Sequence, residues 1–186
     1  MSSDRDFTIT GGTTVFEGYV FSVRVQDVEY ADGTRVTRDV VRHPGAAAIV
    51  AYDDAAVYLT RQPRPAIEDA DSLELPAGLL DVEGEPPLAA AKRELAEEIG
   101  RAADHWEEIR SFRPSVGVSN ERTHLFAATG LHTKVADSGE DERIEVVAWP
   151  LDDLDGALAV VQDAKTVIGL MWLRERLAAA QASLHR

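Results

Sequence analysis

Two prolines and a glycine bracket the most constrained segment of the chain. Pro86 and Pro87 open "PPLAAAKRELAEEIG", and Gly100 closes it. A proline in the first turn of a helix sacrifices no hydrogen bond, because the N–H it lacks has no partner there. A glycine just past the last turn takes the left-handed conformation that ends a helix. Between them Leu88, Ala91, Leu95 and Ile99 recur at helical spacing. The segment from Pro86 to Ile99 is therefore predicted to be an amphipathic helix with that stripe buried. Such a helix needs an apolar layer to lie on.

The flanking sequence supplies one. "AAAIVAYDDAAVYLTRQPR", Ala46 to Arg64, reads as two apolar strands around the polar turn Asp53-Asp54, and "SLELPAGLL" reads as a short strand. Further strands are expected around Trp106–Phe112, Thr123–Thr129 and Ile144–Trp149, with helical patterns at 151–162 and 164–182. Upstream, residues 14–42 alternate apolar and polar, with a hairpin signal at Asp32-Gly33. They are expected to form a small antiparallel sheet of two or three strands, too small to be stable without packing on something else. Strands mixed with few helices imply α+β architecture, a mixed sheet with helices on its faces. The expected division is an N-terminal sheet over residues 1–43 and a larger domain over 44–186.

The bracketed helix holds Glu94, Glu97 and Glu98 within one turn and a half. Like charges at this spacing repel by a few tenths of a kcal/mol per pair, roughly 0.2–0.5. Glu94 and Glu98 lie one above the other beside the stripe, with Glu97 a little further round, and Arg93 can pair with Glu97 four residues on. The convergence suits a divalent cation with oxygen ligands; an ordinary solvated acidic face is the alternative on these residues alone.

Charge narrows the partners. The formal net charge is −14, so nucleic-acid backbones are repelled and an anionic substrate would need local cations. There are no cysteines, which excludes disulfides, thiolate metal sites and cysteine nucleophiles. No apolar run approaches the roughly 20 residues that span a bilayer, and "MSSDRDFTITGG" does not resemble a secretory signal. A cytoplasmic protein is the simplest expectation.

Taken whole, "LELPAGLLDVEGEPPLAAAKRELAEEIG" resembles the signature of the Nudix hydrolase family, Gly-x5-Glu-x7-Arg-Glu-U-x-Glu-Glu-x-Gly-U with U apolar. Glu85, seven residues, then Arg93, Glu94, Leu95, Glu97, Glu98 and Gly100 match residue for residue. Six residues instead of five separate Gly78 from Glu85, and Arg101 stands where the pattern has an apolar residue. The resemblance implies the Nudix fold, an α/β/α sandwich around a mixed sheet, here with the small N-terminal antiparallel β-sheet. It implies metal-dependent hydrolysis of the diphosphate linkage in a nucleoside diphosphate derivative. It also implies Mg²⁺, with Mn²⁺ as the alternative, held by Glu94, Glu98 and the carbonyl of Ala77, and Glu97 as a further ligand. Arg93 would orient the glutamates, and Gly78 and Glu85 would support the site.

Three more segments resemble the bacterial ADP-ribose pyrophosphatase branch. "RQPRPAIEDADSLELPAG" assigns Arg64 to the substrate's phosphates or terminal ribose, with Pro63 replacing the branch's aromatic residue. "RPSVGVSNER" matches at Gly117, Ser119 and Glu121, with Val116 in place of a proline, and implies substrate contacts. "DSGEDERIEVV" implies a loop glutamate acting as base or metal ligand, Glu142 or else Glu140. Tyr30 is a candidate for stacking on adenine. The branch implies a homodimer and turnover of ADP-ribose to AMP and ribose 5-phosphate. Another nucleotide sugar, NADH or an oxidised nucleotide remains the near alternative, and a non-catalytic Nudix-like ligand sensor the alternative of another class.

Overall fold

The computed structural model describes residues 6–134 and 143–184. Its backbone contacts group into two compact units. One runs up to Gly45 and includes Arg113–Arg122, and the other holds Ala46–Phe112 and the chain from Thr123 onward.

The first unit is a three-stranded antiparallel sheet of β1 (Phe7–Glu17), β2 (Ser22–Tyr30) and β3 (Arg35–Arg42), in that order. The turn between β2 and β3 is the one Asp32-Gly33 announces: Gly33 sits at φ 85° and the Thr34 amide donates to Asp32 Oδ1 at 2.8 Å. β1 begins earlier than the alternation at residue 14 indicates. The Gly11-Gly12 pair reads as a strand breaker in sequence, but the sheet absorbs it as a register shift between Ile9 and Gly11, with Gly12 at φ 139°. Residues 113–122 join this unit through β3: the Val41 amide donates to the Val118 carbonyl, and Asn120 Oδ1 accepts the His43 amide at 2.8 Å.

The second unit is a seven-stranded mixed sheet. Its strands are β4 (Ala46–Tyr52), β5 (Ala56–Arg64), β6 (Asp69–Glu74), β7 (Ala77–Leu79), β8 (Arg101–Phe112), β9 (Thr123–Thr133) and β10 (Glu145–Pro150). The main path runs β10-β5-β4-β9-β8, with β6 on β5 and β7 on β4. β4 and β9 are parallel and all other pairs antiparallel. Three helices accompany the sheet: α1 (Pro87–Ile99), α2 (Leu154–Val160) and α3 (Ala164–Leu184).

β4 shows why the layers form. Nearly every residue in it is apolar and buried, as expected of a strand covered on both faces. Ala47, Ile49 and Ala51 pack with Ala91, Leu95 and Ile99 of α1. The alternate residues Ala48 and Val50 pack with Leu154 and Ala157 of α2 and Leu170 and Leu173 of α3. The result is a sandwich of helix, sheet and helix, each fully buried Leu or Ile contributing about 1.5–3 kcal/mol. The buried face of α1 comprises Ala90, Ala91, Leu95, Ala96 and Ile99. Leu88, expected in that stripe, is instead exposed: in the first turn the helix stands over an open hollow shared with Trp106 of β8 and His124 and Phe126 of β9. Gly100 closes α1 at φ 69°, its amide directed to the Ala96 and Leu95 carbonyls.

Close packing has one checkable consequence at Gly169, inside α3. A Cβ there would stand 2.5 Å from Leu75 Cδ1 and 2.9 Å from Val50 Cγ2. Helix propensity favours alanine over glycine by about 1 kcal/mol. Overpacking a filled core costs about 1–3 kcal/mol, and both neighbours are buried. Gly169→Ala is therefore expected to destabilise the fold by about 1 kcal/mol, read as a lower urea midpoint at unchanged slope; a raised midpoint would contradict this packing.

Candidate active site

The sheet and α1 bring a set of carboxylates onto one guanidinium. Arg93 donates from Nη2 to Glu85 Oε2 at 3.0 Å, from Nη1 to Glu94 Oε1 at 2.5 Å, and from Nη1 to Glu97 Oε2 at 3.1 Å. Its Nη2 also points to the Leu79 carbonyl on β7 at 3.5 Å. Hydrogen bonding from Glu85 leads, against the cost of burial, in pushing the guanidinium even further above its ordinary range. Arg93 is a permanent cation that joins the loop before α1, the helix itself and the β7 edge.

Glu98, one turn on, reaches the other way. Its Oε2 accepts the Ala77 amide of β7 at 3.0 Å. β7 is held beside β4 by pairing of Ala77 with Ala48, and the Ile49 amide bonds the Pro76 carbonyl at 2.9 Å. The "PAG" turn and the glutamate helix are thus fastened together. Gly78 makes this approach possible: a Cβ on it would lie 1.9 Å from Glu94 Cδ and Oε1.

Ala77, Glu94, Glu97 and Glu98 offer only oxygen donors, which suits a hard divalent ion that keeps water in its shell. Glu94 is largely buried, its side chain 12% exposed, so its carboxylate faces the β7 turn and not bulk solvent. Among the described residues, no three acidic or histidine side chains stand together as a ready metal cage. The carboxylates are shared between Arg93 and Ala77, so an ion here would take two or three of them and fill its remaining positions with water and substrate oxygens.

Arg64, at the end of β5, is engaged. Its Nε and Nη2 donate to Glu74 Oε1 and Oε2 at 2.6 and 2.9 Å. Glu74, on β6, is 3% exposed, and its Oε2 also accepts from Lys165 Nζ at 2.7 Å. Lys165 lies in the first turn of α3, and Asp163 Oδ1 stands 3.1 Å from its ammonium. Burial by itself pushes the Glu74 carboxyl up; hydrogen bonds and charge from Arg64 and Lys165 outweigh it and bring it down to about 2. The Thr166 hydroxyl accepts the Leu75 amide at 2.8 Å and donates to Asp163 Oδ2 at 2.6 Å, locking α3 to β6. Glu74 and Lys165 were not among the residues singled out in the sequence. An acid between Leu73 and Leu75 is the signal that marks Glu74.

In the first unit, Tyr30 packs edge-on against Phe7 with ring centroids 6.3 Å apart. Ser119 Oγ accepts the Glu121 amide at 3.0 Å, and a Cβ on Gly117 would meet nothing within 4 Å. Glu140 and Glu142 lie outside the described residues.

Comparison with known proteins agrees with this architecture. The NUDIX domain model matches residues 41–169. The methanol dehydrogenase activator of Bacillus methanolicus is 36% identical over 168 residues, covering 86% of this chain and 88% of that protein. The ADP-ribose pyrophosphatase of Bacillus subtilis (strain 168) is 36% identical over 168 residues, covering 86% of this chain and 88% of that protein. Among solved structures, an ADP compounds hydrolase superposes with a TM-score of 0.83 at 26% identity, covering 97% of this chain and 98% of its own.

The buried acid gives a pH test. Its folded carboxyl titrates near 2, below the ordinary 4.5. The stabilisation is thus full above that ordinary value and is lost as pH falls from about 4.5 towards 2, a total on the order of 3 kcal/mol. Urea unfolding at pH 6 and pH 3 should show a steep loss for the native sequence and a shallower one for Glu74→Gln.

Proposed function

The chain belongs to the NUDIX family, and from that premise we propose that it hydrolyses ADP-ribose to AMP and ribose 5-phosphate. The observation that carries this reading is the gathering of Glu85, Glu94 and Glu97 on Arg93 beside the Gly78 turn. The ADP-ribose pyrophosphatase relative, aligned over most of both chains, and the ADP compounds hydrolase structure point to the substrate.

In the reaction, water forms a new bond to one phosphorus of the diphosphate as the bridging P–O bond breaks. The bridging oxygen leaves with the second phosphate, and the water's proton passes to a base. Ala77, through its carbonyl, and Glu94, Glu98 and Glu97 would hold Mg²⁺, or Mn²⁺ in its place. When bound, the cation supplies charge neutralisation and a more acidic water. Arg93 keeps the glutamates from splaying apart, and Glu85 and Gly78 fix where they stand. Glu142, or Glu140 in its place, would take the proton, with Glu97 and Arg93 completing the catalytic group. Arg64, Tyr30, Gly117, Ser119 and Glu121 are assigned to the substrate by the resemblance of their segments.

Phe7, Ile9, Val15 and Phe16 of β1 are exposed, as are Val116 and Val118. An apolar surface of this kind favours burial against another chain, which supports a homodimer. No described helix is long and apolar enough to cross a membrane, in keeping with a cytoplasmic site of action and a small nucleotide as partner.

With Mg²⁺ and a panel of nucleotide sugars, NADH and oxidised nucleotides, chromatography should show AMP arising selectively from ADP-ribose. Preference for another panel member would replace the substrate and keep the family. Glu98→Gln should lose at least about a hundredfold in kcat with its circular dichroism and melting curve intact; normal turnover would remove Glu98 from the site. Gly78→Ala should drive the Glu94 carboxylate off its place and lower kcat/KM on the order of tenfold or more, and wild-type kinetics would show that Glu94 has freedom to move.

A further inference from the structure

We propose that Glu74 is a positioning residue for substrate binding: its two-pronged ion pair aims Arg64, and Lys165, reaching from α3, clamps Glu74 in that pose. The inference rests on the ADP-ribose reading and extends it to residues that lie outside the glutamate helix and its turn.

Geometry carries it. A free arginine at a strand end samples many rotamers, and ordering it on a ligand costs that freedom. Arg64 is already ordered, with Nε and Nη2 both on Glu74. The planar fork then fixes where the rest of the guanidinium points. Its other N–H groups make no hydrogen bond among the described residues, and its side chain is 41% exposed. They remain available for a phosphate or ribose oxygen. The carboxylates of the metal-binding helix are near enough for Glu98 to act on the charge of Arg64, so the fork stands at the edge of the same centre.

The lysine holds the carboxylate in place. Oε2 of Glu74 is shared, taking Arg64 Nη2 at 2.9 Å and Lys165 Nζ at 2.7 Å. Asp163 Oδ1 faces Lys165 from its far side and balances it, so the charges of the cluster cancel and what it gives Arg64 is position. Asp163 Oδ2 in turn takes the Thr166 amide and hydroxyl at the start of α3. The carboxylate is held from two elements, so it cannot follow Arg64 if the guanidinium swings. A low Glu74 carboxyl pKa keeps the clamp charged at neutral pH.

The test is a kinetic and binding series with Mg²⁺, using ADP-ribose for turnover and its methylene-bridged diphosphate analogue for calorimetry. Glu74→Gln keeps the shape and loses the charge. It should raise KM and the analogue's Kd on the order of tenfold, with kcat within about threefold. Arg64→Ala should do the same, and Arg64→Ala with Glu74→Gln should be no worse than Arg64→Ala alone, because Glu74 acts only through Arg64. If Glu74→Gln fails to fold, Glu74→Asp keeps the charge but withdraws the carboxylate by one methylene, and should show the same rise in KM. Unchanged KM in a folded Glu74 variant, or independent, multiplying losses in the double variant, would overturn the proposal. Those results concern Glu74 alone where the native enzyme cleaves ADP-ribose; if the native enzyme leaves ADP-ribose intact, the substrate reading and this inference fall together.

Discussion

The repulsion among the glutamates of α1 is contained by one side chain. Arg93 contacts Glu85, Glu94 and Glu97 within 3.1 Å, from a position between the helix and the β7 edge. Without it the last two turns would hold acids that repel one another at the place where the helix meets the sheet. With it they are held near one point, with Glu94 against Gly78 of the "PAG" turn. A guanidinium suits this task better than an ammonium, since its flat fork can serve several carboxylates at once without losing its charge. The arrangement leaves room for a cation, because a carboxylate carries more lone pairs than Arg93 engages.

The sandwich gives that helix its fixed seat. β4 is apolar on both faces, so α1 is pressed on one side while α2 and α3 press on the other. The two sides deliver different charge. α1 brings acids to the β7 turn, and the start of α3 brings Lys165 to the acid on β6. β6 and β7 are separated only by Leu75 and Pro76, so the acidic and basic arrangements meet along one short stretch of backbone.

Much of this was legible in the residues. The helix, its proline start and its glycine end were visible because local chemistry dictates them, and the match from Glu85 to Gly100 carried the family. The pairing of Arg93 with Glu97 followed from helical spacing. Other parts depended on long-range contact. Leu88 fits the apolar periodicity and is exposed, since the first turn stands over an open hollow at the β8 and β9 edge instead of packing closely. β1 begins well before its clear alternation, since a bulge can accommodate Gly11-Gly12. Glu74 and Lys165 lie 91 positions apart, and nothing local to either one announces the other. An acid between two leucines hints at burial, but only the fold supplies its cations.

That separation sets an order of events during synthesis. β6 leaves the ribosome long before the start of α3, since Leu75 and Thr166 are likewise 91 positions apart. In the interval Glu74 has one cation instead of two, and the Leu75 amide has no hydroxyl to receive it, a deficit that a buried polar group tolerates badly. The nascent chain can therefore bring Glu85, Glu94 and Glu97 to Arg93 and Glu98 to Ala77, all of them before Gly100, well ahead of the lysine on Glu74. The ion-pair cluster around Glu74 is completed last, when the C-terminal helix docks.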